Sequence, residues 1–262
     1  MFSYVTGKGE DLVFLHGWGG STASFEGVAK RLNGRYRCIL FDLYGFGKTP
    51  IEREMTLDDY ADGVERALSD LGVERAIVVG HSFGGRIALL LAARKSPLVR
   101  AIVLTDAAGM RPRRSLRKAW RRCKYRWRKR LGLSLDRCGS PDYRALDGAL
   151  RRTFVNVVNR YQDDSLSFVD VPTLIVWGKR DRDTPMYMAR RLRRGIRDSG
   201  LVVLDGGHYS YLDSLGQYVA VLGSFAESVY GMDMDCGASR CGDARRMDRD
   251  AQGVEPDSAA RI

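Results

Sequence analysis

A chain of 262 residues with 44% hydrophobic positions can bury one substantial core, so a single α/β domain is the expected organisation. Its longest unbroken apolar run, Ile87 to Ala93, falls far short of the roughly 20 residues that a membrane-spanning helix needs, which argues against a bilayer-spanning chain. The net charge of +11 suggests a polyanion binder until it is located: residues 111–130 hold 12 Lys/Arg and no acid, and without them the remainder carries −1. The basicity belongs to one segment, and nucleic acid is not an expected partner.

The N-terminus, Met1-Phe2-Ser3-Tyr4, lacks the charged start, apolar stretch and small-residue cleavage site of a secretory signal, so a cytoplasmic location is expected. Cys38, Cys123, Cys138, Cys236 and Cys241 are scattered, without the dense spacing of a disulfide scaffold, and read as reduced thiols. Cys236 and Cys241 have no histidine nearby to complete a metal site.

Taken in chain order, Asp11-Leu12-Val13-Phe14-Leu15 reads as a buried strand ending in the glycine-rich loop His16-Gly17-Trp18-Gly19-Gly20, followed by a helix from Ala23 to Leu32. Arg37 to Phe41 is a second strand, closed by Asp42 and the turn-forming Tyr44-Gly45-Phe46-Gly47. Thr56 has the character of an N-cap, with Asp58 and Asp59 in the first turn of a helix running to about Leu71. Arg75 to Val79 predicts a third strand, and after Gly80-His81-Ser82-Phe83-Gly84-Gly85 the spacing of Ile87, Leu90 and Leu91 predicts a helix. Ala101 to Leu104, Thr173 to Trp177 and Leu201 to Leu204 supply further strands, with helices over Tyr187 to Arg194 and Leu212 to Tyr230. Strands alternating with helices imply an α/β fold: a mostly parallel central sheet flanked by helices on both faces. Residues 107–170 interrupt the alternation and are expected to form an inserted helical cap, leaving 1–106 and 171–231 as the core. Residues 232–262 offer too little apolar surface to offset the entropy of ordering and are expected to be a disordered tail.

Gly80-His81-Ser82-Phe83-Gly84 matches G-x-S-x-G, in which a sharp strand-to-helix turn exposes a serine hydroxyl. Five letters are weak evidence in a chain with 29 glycines, but the strand before and the helix after supply the required setting. The competing reading is a glycine-rich turn that binds phosphate at the helix N-terminus. Gly47-Lys48-Thr49 resembles the end of a P-loop, but that motif requires glycine where this chain has Asp42. No His-Glu-x-x-His metal motif occurs.

On His16-Gly17-Trp18-Gly19-Gly20, Asp42-Leu43-Tyr44-Gly45-Phe46-Gly47, the serine turn, Trp177-Gly178-Lys179-Arg180-Asp181 with Thr184-Pro185, and Gly206-Gly207-His208, the chain resembles the α/β-hydrolase superfamily, near its small cap-bearing esterase-like enzymes. The resemblance runs from about Asp11 to Tyr230 and implies the α/β-hydrolase fold. It also implies a serine hydrolase that cleaves the carboxylic ester of a small acyl substrate through an acyl-enzyme on Ser82, with thioesters and lactones open to the same chemistry. Neither a cofactor nor a metal is called for. A serine hydroxyl needs a base, and of the three histidines His208 follows the last predicted strand. The family's W-G-x-x-D-x-x-T-P spacing falls on Asp181 as the carboxylate partner, with Asp183 as a competitor two residues on. The order Ser82, Asp181, His208 is that of the fold, whose oxyanion hole would use the backbone N–H groups of Trp18 and Phe83.

Within the basic segment Leu116, Trp120, Cys123, Trp127 and Leu131 recur at helical spacing on one narrow arc, and arginine and lysine occupy the other faces. Such a helix suits a cap whose apolar stripe covers the cleft, placing Trp120 and Trp127 with Trp18 and His81 as candidate substrate-binding residues. The cap is the preferred reading, because the segment follows the strand ending near Thr105, where the resembled family places its lid; a peripheral contact with an anionic membrane and attraction of acidic substrates are the other uses. Residues from Ser140 through Arg151, Phe154 and Val158 read as another helix or pair of helices forming a cap wall, with Phe154 and Val158 as core contacts. Other readings remain open: a C–C bond hydrolase or cofactor-free peroxidase on the same three residues, a non-catalytic ligand-binding protein, or a peripheral membrane protein. Oligomeric state is not legible.

Overall fold

A computed structural model describes residues 1–113, 146 and 148–231. The basic segment with Trp120 and Trp127, and the tail from residue 232, lie outside the described residues. The chain builds a seven-stranded sheet from β1 (Ser3–Thr6), β2 (Glu10–Leu15), β3 (Tyr36–Phe41), β4 (Ala76–His81), β5 (Val99–Thr105), β6 (Thr173–Gly178) and β7 (Ser199–Leu204). The spatial order is β1-β3-β2-β4-β5-β6-β7, all parallel except β1, which runs antiparallel to β3.

Strands covered on both faces must be apolar at successive positions, and β2 illustrates how the alternation is used. Val13 and Leu15 point into the core under α2 (Leu57–Asp70), α3 (Phe83–Ala93) and α5 (Tyr187–Gly195), whereas Leu12 and Phe14 point into the core under α1 (Ala23–Leu32) and α7 (residues 215–231). Ile77 and Val79 against Val78, and Leu174 and Val176 against Ile175 and Trp177, repeat that division. α2 begins with a capping box: the Asp59 N–H donates to Thr56 Oγ1 at 3.2 Å and the Thr56 N–H to Asp59 Oδ2 at 2.7 Å.

The sheet order reverses direction between β2 and β4, since β3 lies on one side of β2 and β4 on the other. The loops that leave these two strands lead to α1 and α3, on opposite faces. A crevice must open where they part, at the carboxyl edge of the sheet, and ligands of such folds bind there.

Two elements differ from the sequence expectation. β1 was not foreseen, because its four residues are partly exposed and present no apolar run. The helix expected over Leu212 to Tyr230 is divided at Ser214 into the short α6 (Ser210–Asp213) and α7. Asp213 Oδ2 accepts the Gly207 N–H at 2.7 Å and Ser214 Oγ donates to Asp205 O at 3.1 Å, which ties the helix start back to the loop after β7.

Between β5 and β6 the described chain forms α4 (Gly148–Asn159) and a 3-10 helix (Asp163–Phe168). α4 buries Val157, with Val158 only partly covered. Its anchor is Arg86 of α3, a buried guanidinium whose Nη1 donates to Val157 O and Arg160 O, both at 2.8 Å. Burial brings its pKa down to about 10. Arg86→Met would leave both carbonyls without that donor, and a loss of about 1–3 kcal/mol of stability is expected. Urea denaturation with an unchanged midpoint would show that the guanidinium makes no net contribution there.

Candidate active site

Ser82 lies between β4 and α3 with φ 47° and ψ −102°, a region that L-residues enter only under constraint. The glycines on either side are sterically required. A Cβ at Gly80 would stand 2.4 Å from Gly84 O, and one at Gly84 would stand 2.1 Å from Leu15 O. Two backbone hydrogen bonds hold the turn: the Ser82 N–H donates to Thr105 O and the Ala108 N–H donates to Ser82 O, both at 3.0 Å.

The loops after β6 and β7 bring Asp181 and His208 to this hydroxyl. His208 Nε2 is 3.0 Å from Ser82 Oγ, and His208 Nδ1 is 2.8 Å from Asp181 Oδ2. The Asp181 side chain is buried and takes three further donors: the N–H groups of Asp183 (2.8 Å) and Thr184 (2.9 Å) on Oδ1, and the Thr184 hydroxyl (2.6 Å) on Oδ2. Burial works to raise its pKa, but the hydrogen bonds from His208 and Thr184 outweigh it and the carboxyl is held below its ordinary value. At His208 burial favours the neutral ring, yet the hydrogen bond and charge of Asp181 prevail and the pKa is raised. A hydroxyl bonded to an imidazole whose other nitrogen faces an ionised carboxylate can give up its proton as it attacks an electrophile.

Of the two aspartates that competed in the sequence, Asp181 meets the imidazole, while Asp183 is exposed, donates its backbone N–H to Asp181 and acts on His208 only through its charge. Asp181, Asp183 and His208 offer ligand atoms within 4.8 Å of one another, but an ion there would have to displace the hydrogen bond between Asp181 and His208.

The loop after β2 is fixed by His16. Its Nε2 accepts the Leu43 N–H at 3.0 Å, which leaves Nδ1–H to donate to Gly17 O at 2.7 Å; burial lowers its pKa and keeps it neutral. The Gly84 N–H donates to His16 O at 3.1 Å, joining this loop to the serine turn. Asp42 accepts the N–H groups of Thr22 (2.6 Å) and Lys48 (2.7 Å) and so links the turns after β2 and β3. Among the described residues, the backbone N–H groups of Trp18 and Phe83 donate to no protein acceptor. The Trp18 ring is half-buried in edge contacts with Phe46 (5.0 Å), Phe83 (5.2 Å) and Phe154 of α4 (4.9 Å).

His81, expected among the substrate-binding residues, is only 1% exposed and faces the protein interior. Its Nε2–H donates to His208 O at 2.7 Å, and burial lowers its pKa to about 3. It therefore braces the backbone of His208 and leaves no ring edge for substrate. Sequence reasoning missed Asp106, a buried acid at the end of an apolar strand, whose only signal was the break from Leu104 to a charged residue.

A family model for the alpha/beta hydrolase fold matches residues 12–162, and the chain belongs to that family. It is 27% identical over 249 residues to a pimeloyl-[acyl-carrier protein] methyl ester esterase of Neisseria meningitidis serogroup C, covering 82% of this chain and 93% of that protein. To the AB hydrolase superfamily protein YisY of Bacillus subtilis it is 28% identical, covering 87% of this chain and 96% of that one. The crystal structure of an enol-lactonase from Burkholderia xenovorans superposes with a TM-score of 0.70 at 18% identity, over 86% of this chain and 95% of that one, a likeness of fold. No helix among the described residues is long and apolar enough to cross a membrane.

The unequal surroundings of the two aspartates lead to a direct test. Asp181→Asn, which keeps the shape but favours the wrong imidazole tautomer, is expected to lower turnover of an activated ester by roughly 10⁴-fold. Asp183→Asn is expected to stay near the parent rate. Equal losses in the two variants would remove Asp181 from its place beside His208.

Proposed function

We propose that this chain is a serine hydrolase of carboxylic esters that works through an acyl-enzyme on Ser82. The observation that carries the reading is the continuous hydrogen-bonded line from Ser82 Oγ through the His208 ring to Asp181. Ser82 Oγ attacks the acyl carbon while its proton passes to His208 Nε2, and Asp181 stabilises the imidazolium. The negative oxygen of the tetrahedral intermediate is received by the backbone N–H groups of Trp18 and Phe83, each worth about 3–4 kcal/mol of barrier. Collapse expels the alcohol, protonated by His208. Water then attacks the acyl-enzyme with His208 again as base, releasing the acid and restoring the serine.

The name of the Neisseria relative supports a methyl ester of an acyl chain as the first substrate to try, and the enol-lactonase neighbour supports lactones as a second. Both are acyl transfers to water and need no other groups. The neutral ring of His208 is the active form. Because Asp181 raises the pKa of that ring, activity should fall on acidification sooner than it would for an unpaired histidine.

Labelling with a fluorophosphonate probe, with mass spectrometry of the modified peptide, tests the reading. The parent protein should be modified at Ser82, and Ser82→Ala should lose both labelling and, by roughly 10⁴–10⁶-fold, hydrolysis of p-nitrophenyl and methyl esters. A folded parent that resists the probe, or a Ser82→Ala protein that hydrolyses esters at the parent rate, ends the proposal.

A further inference from the structure

The chain leaving β5 touches the serine turn and the loops that carry Asp181 and His208. Thr105 O and the Ala108 N–H hold the backbone of Ser82, as described above. Between them, Asp106 adopts φ 45°, a left-handed conformation that aspartate tolerates better than most residues, and its side chain is wholly buried. Asp106 Oδ1 accepts the Gly178 N–H at 2.7 Å; Oδ2 accepts the Ser210 N–H at 3.1 Å and the Ser210 hydroxyl at 2.6 Å. Its carbonyl oxygen lies 3.0 Å from Thr184 Oγ1, the hydroxyl that donates to Asp181. Gly178 stands just ahead of Asp181, and Ser210 just after His208. One residue therefore joins the strand beside Ser82 to the loops bearing Asp181 and His208.

We propose that Asp106 is a positioning residue for the Ser82 reaction: its ionised carboxylate ties the Asp181 and His208 loops to the serine turn, and its negative charge favours the imidazolium that forms at His208. The proposal rests on the serine-hydrolase reading above. The ionised carboxyl accepts all three donors, whereas a protonated one would keep them only by reversing the Ser210 hydroxyl into an acceptor and would lose the charge that strengthens the bonds. The groups that face it are Asp181 and His208 from the two loops and the phenols of Tyr211 and Tyr218 from α6 and α7. Burial keeps both phenols neutral. At Asp106 burial, aided by the charge of Asp181, outweighs the three donors and lifts the pKa to about 7. The clamp is thus intact above neutrality and loosens as pH falls. At His208, where burial lowers the pKa and Asp181 raises it, the charge of Asp106 is a further raising influence.

The sign of each effect separates positioning from mere support. Asp106→Asn removes the charge and turns an amide N–H₂ toward one of the donors. It should lower kcat by about 10²-fold with KM nearly unchanged, since a displaced reacting group costs rate before it costs binding. The acid limb of its pH–rate profile should move to lower pH and become less steep, because one titrating group is gone and His208 has lost a neighbouring negative charge. Ser210→Ala removes one donor to the carboxylate, so its acid limb should move the other way, to higher pH. Both variants and the parent would be measured by the pH dependence of fluorophosphonate labelling and of p-nitrophenyl ester hydrolysis, with thermal unfolding as the control for folding. A parent that is never labelled refutes the serine-hydrolase reading itself. A labelled parent whose acid limb is unmoved in both variants, whatever their thermal stability, overturns the role of Asp106; if Asp106→Asn does not fold, the limb of Ser210→Ala decides alone.

Discussion

At Ser82 the main chain is held at φ 47° and ψ −102°, and the rest of the site is arranged around that reversal. A backbone in this region costs about 1–3 kcal/mol unless its surroundings over-determine it. Here they do. Gly80 of β4 closes onto Gly84 from one side and Leu15 at the end of β2 from the other, at distances that leave no room for a Cβ at Gly80 or Gly84. The segment after β5 then receives and donates one hydrogen bond each at Ser82. The same close approach that creates the strain joins the Trp18 loop to the start of α3 through the bond from Gly84 N–H to His16 O. That packing fixes the backbone of the Trp18 loop relative to the residue that follows Ser82.

Two buried carboxyls lie near one imidazole, and their environments drive them in opposite directions. Asp181 gains enough from His208, from the Thr184 hydroxyl and from backbone donors to overcome burial and stay ionised. Asp106 has three donors to the four of Asp181, and there burial prevails and lifts the pKa to about 7. The fourth donor to Asp181 is its imidazole partner. What differs is that Asp181 faces a group able to become a cation, whereas the donors to Asp106 are neutral amides and a hydroxyl. A site with one carboxylate firmly ionised and one poised near pH 7 divides the tasks of stabilising charge and of responding to pH.

The strands buried on both faces were legible in the sequence because their apolar runs are continuous, and β2, β4, β5 and β6 fall close to the expected positions. The glycine-flanked serine was legible for a similar reason: its steric requirement leaves a local mark. β1 left no such mark, since a short antiparallel edge with Tyr4 and Val5 exposed has no periodicity to read. His81 was expected among the substrate-binding residues, but its ring is committed to His208 O, a partner 127 positions away. Asp106 was invisible for the same reason, with partners 72 and 104 positions along the chain. What the sequence withholds is contact between distant segments, and buried polar groups are defined by such contacts.

The division between sheet edge and inserted segment bears on how substrate choice is coupled to chemistry. α4 is anchored to α3 by Arg86, on the helix that begins immediately after Ser82, and it places Phe154 against Trp18. Trp18 in turn packs on Phe83 and Phe46. The residue whose backbone N–H is proposed to receive the oxyanion thus has its side chain in the aromatic cluster that joins the insertion to the core. Aromatic contacts of this kind are worth about 0.5–1.5 kcal/mol each beyond their buried area, enough to bias the loop geometry without locking it. A change of side chain at position 154 would therefore be felt at the Trp18 loop, whose backbone N–H is proposed to receive the oxyanion.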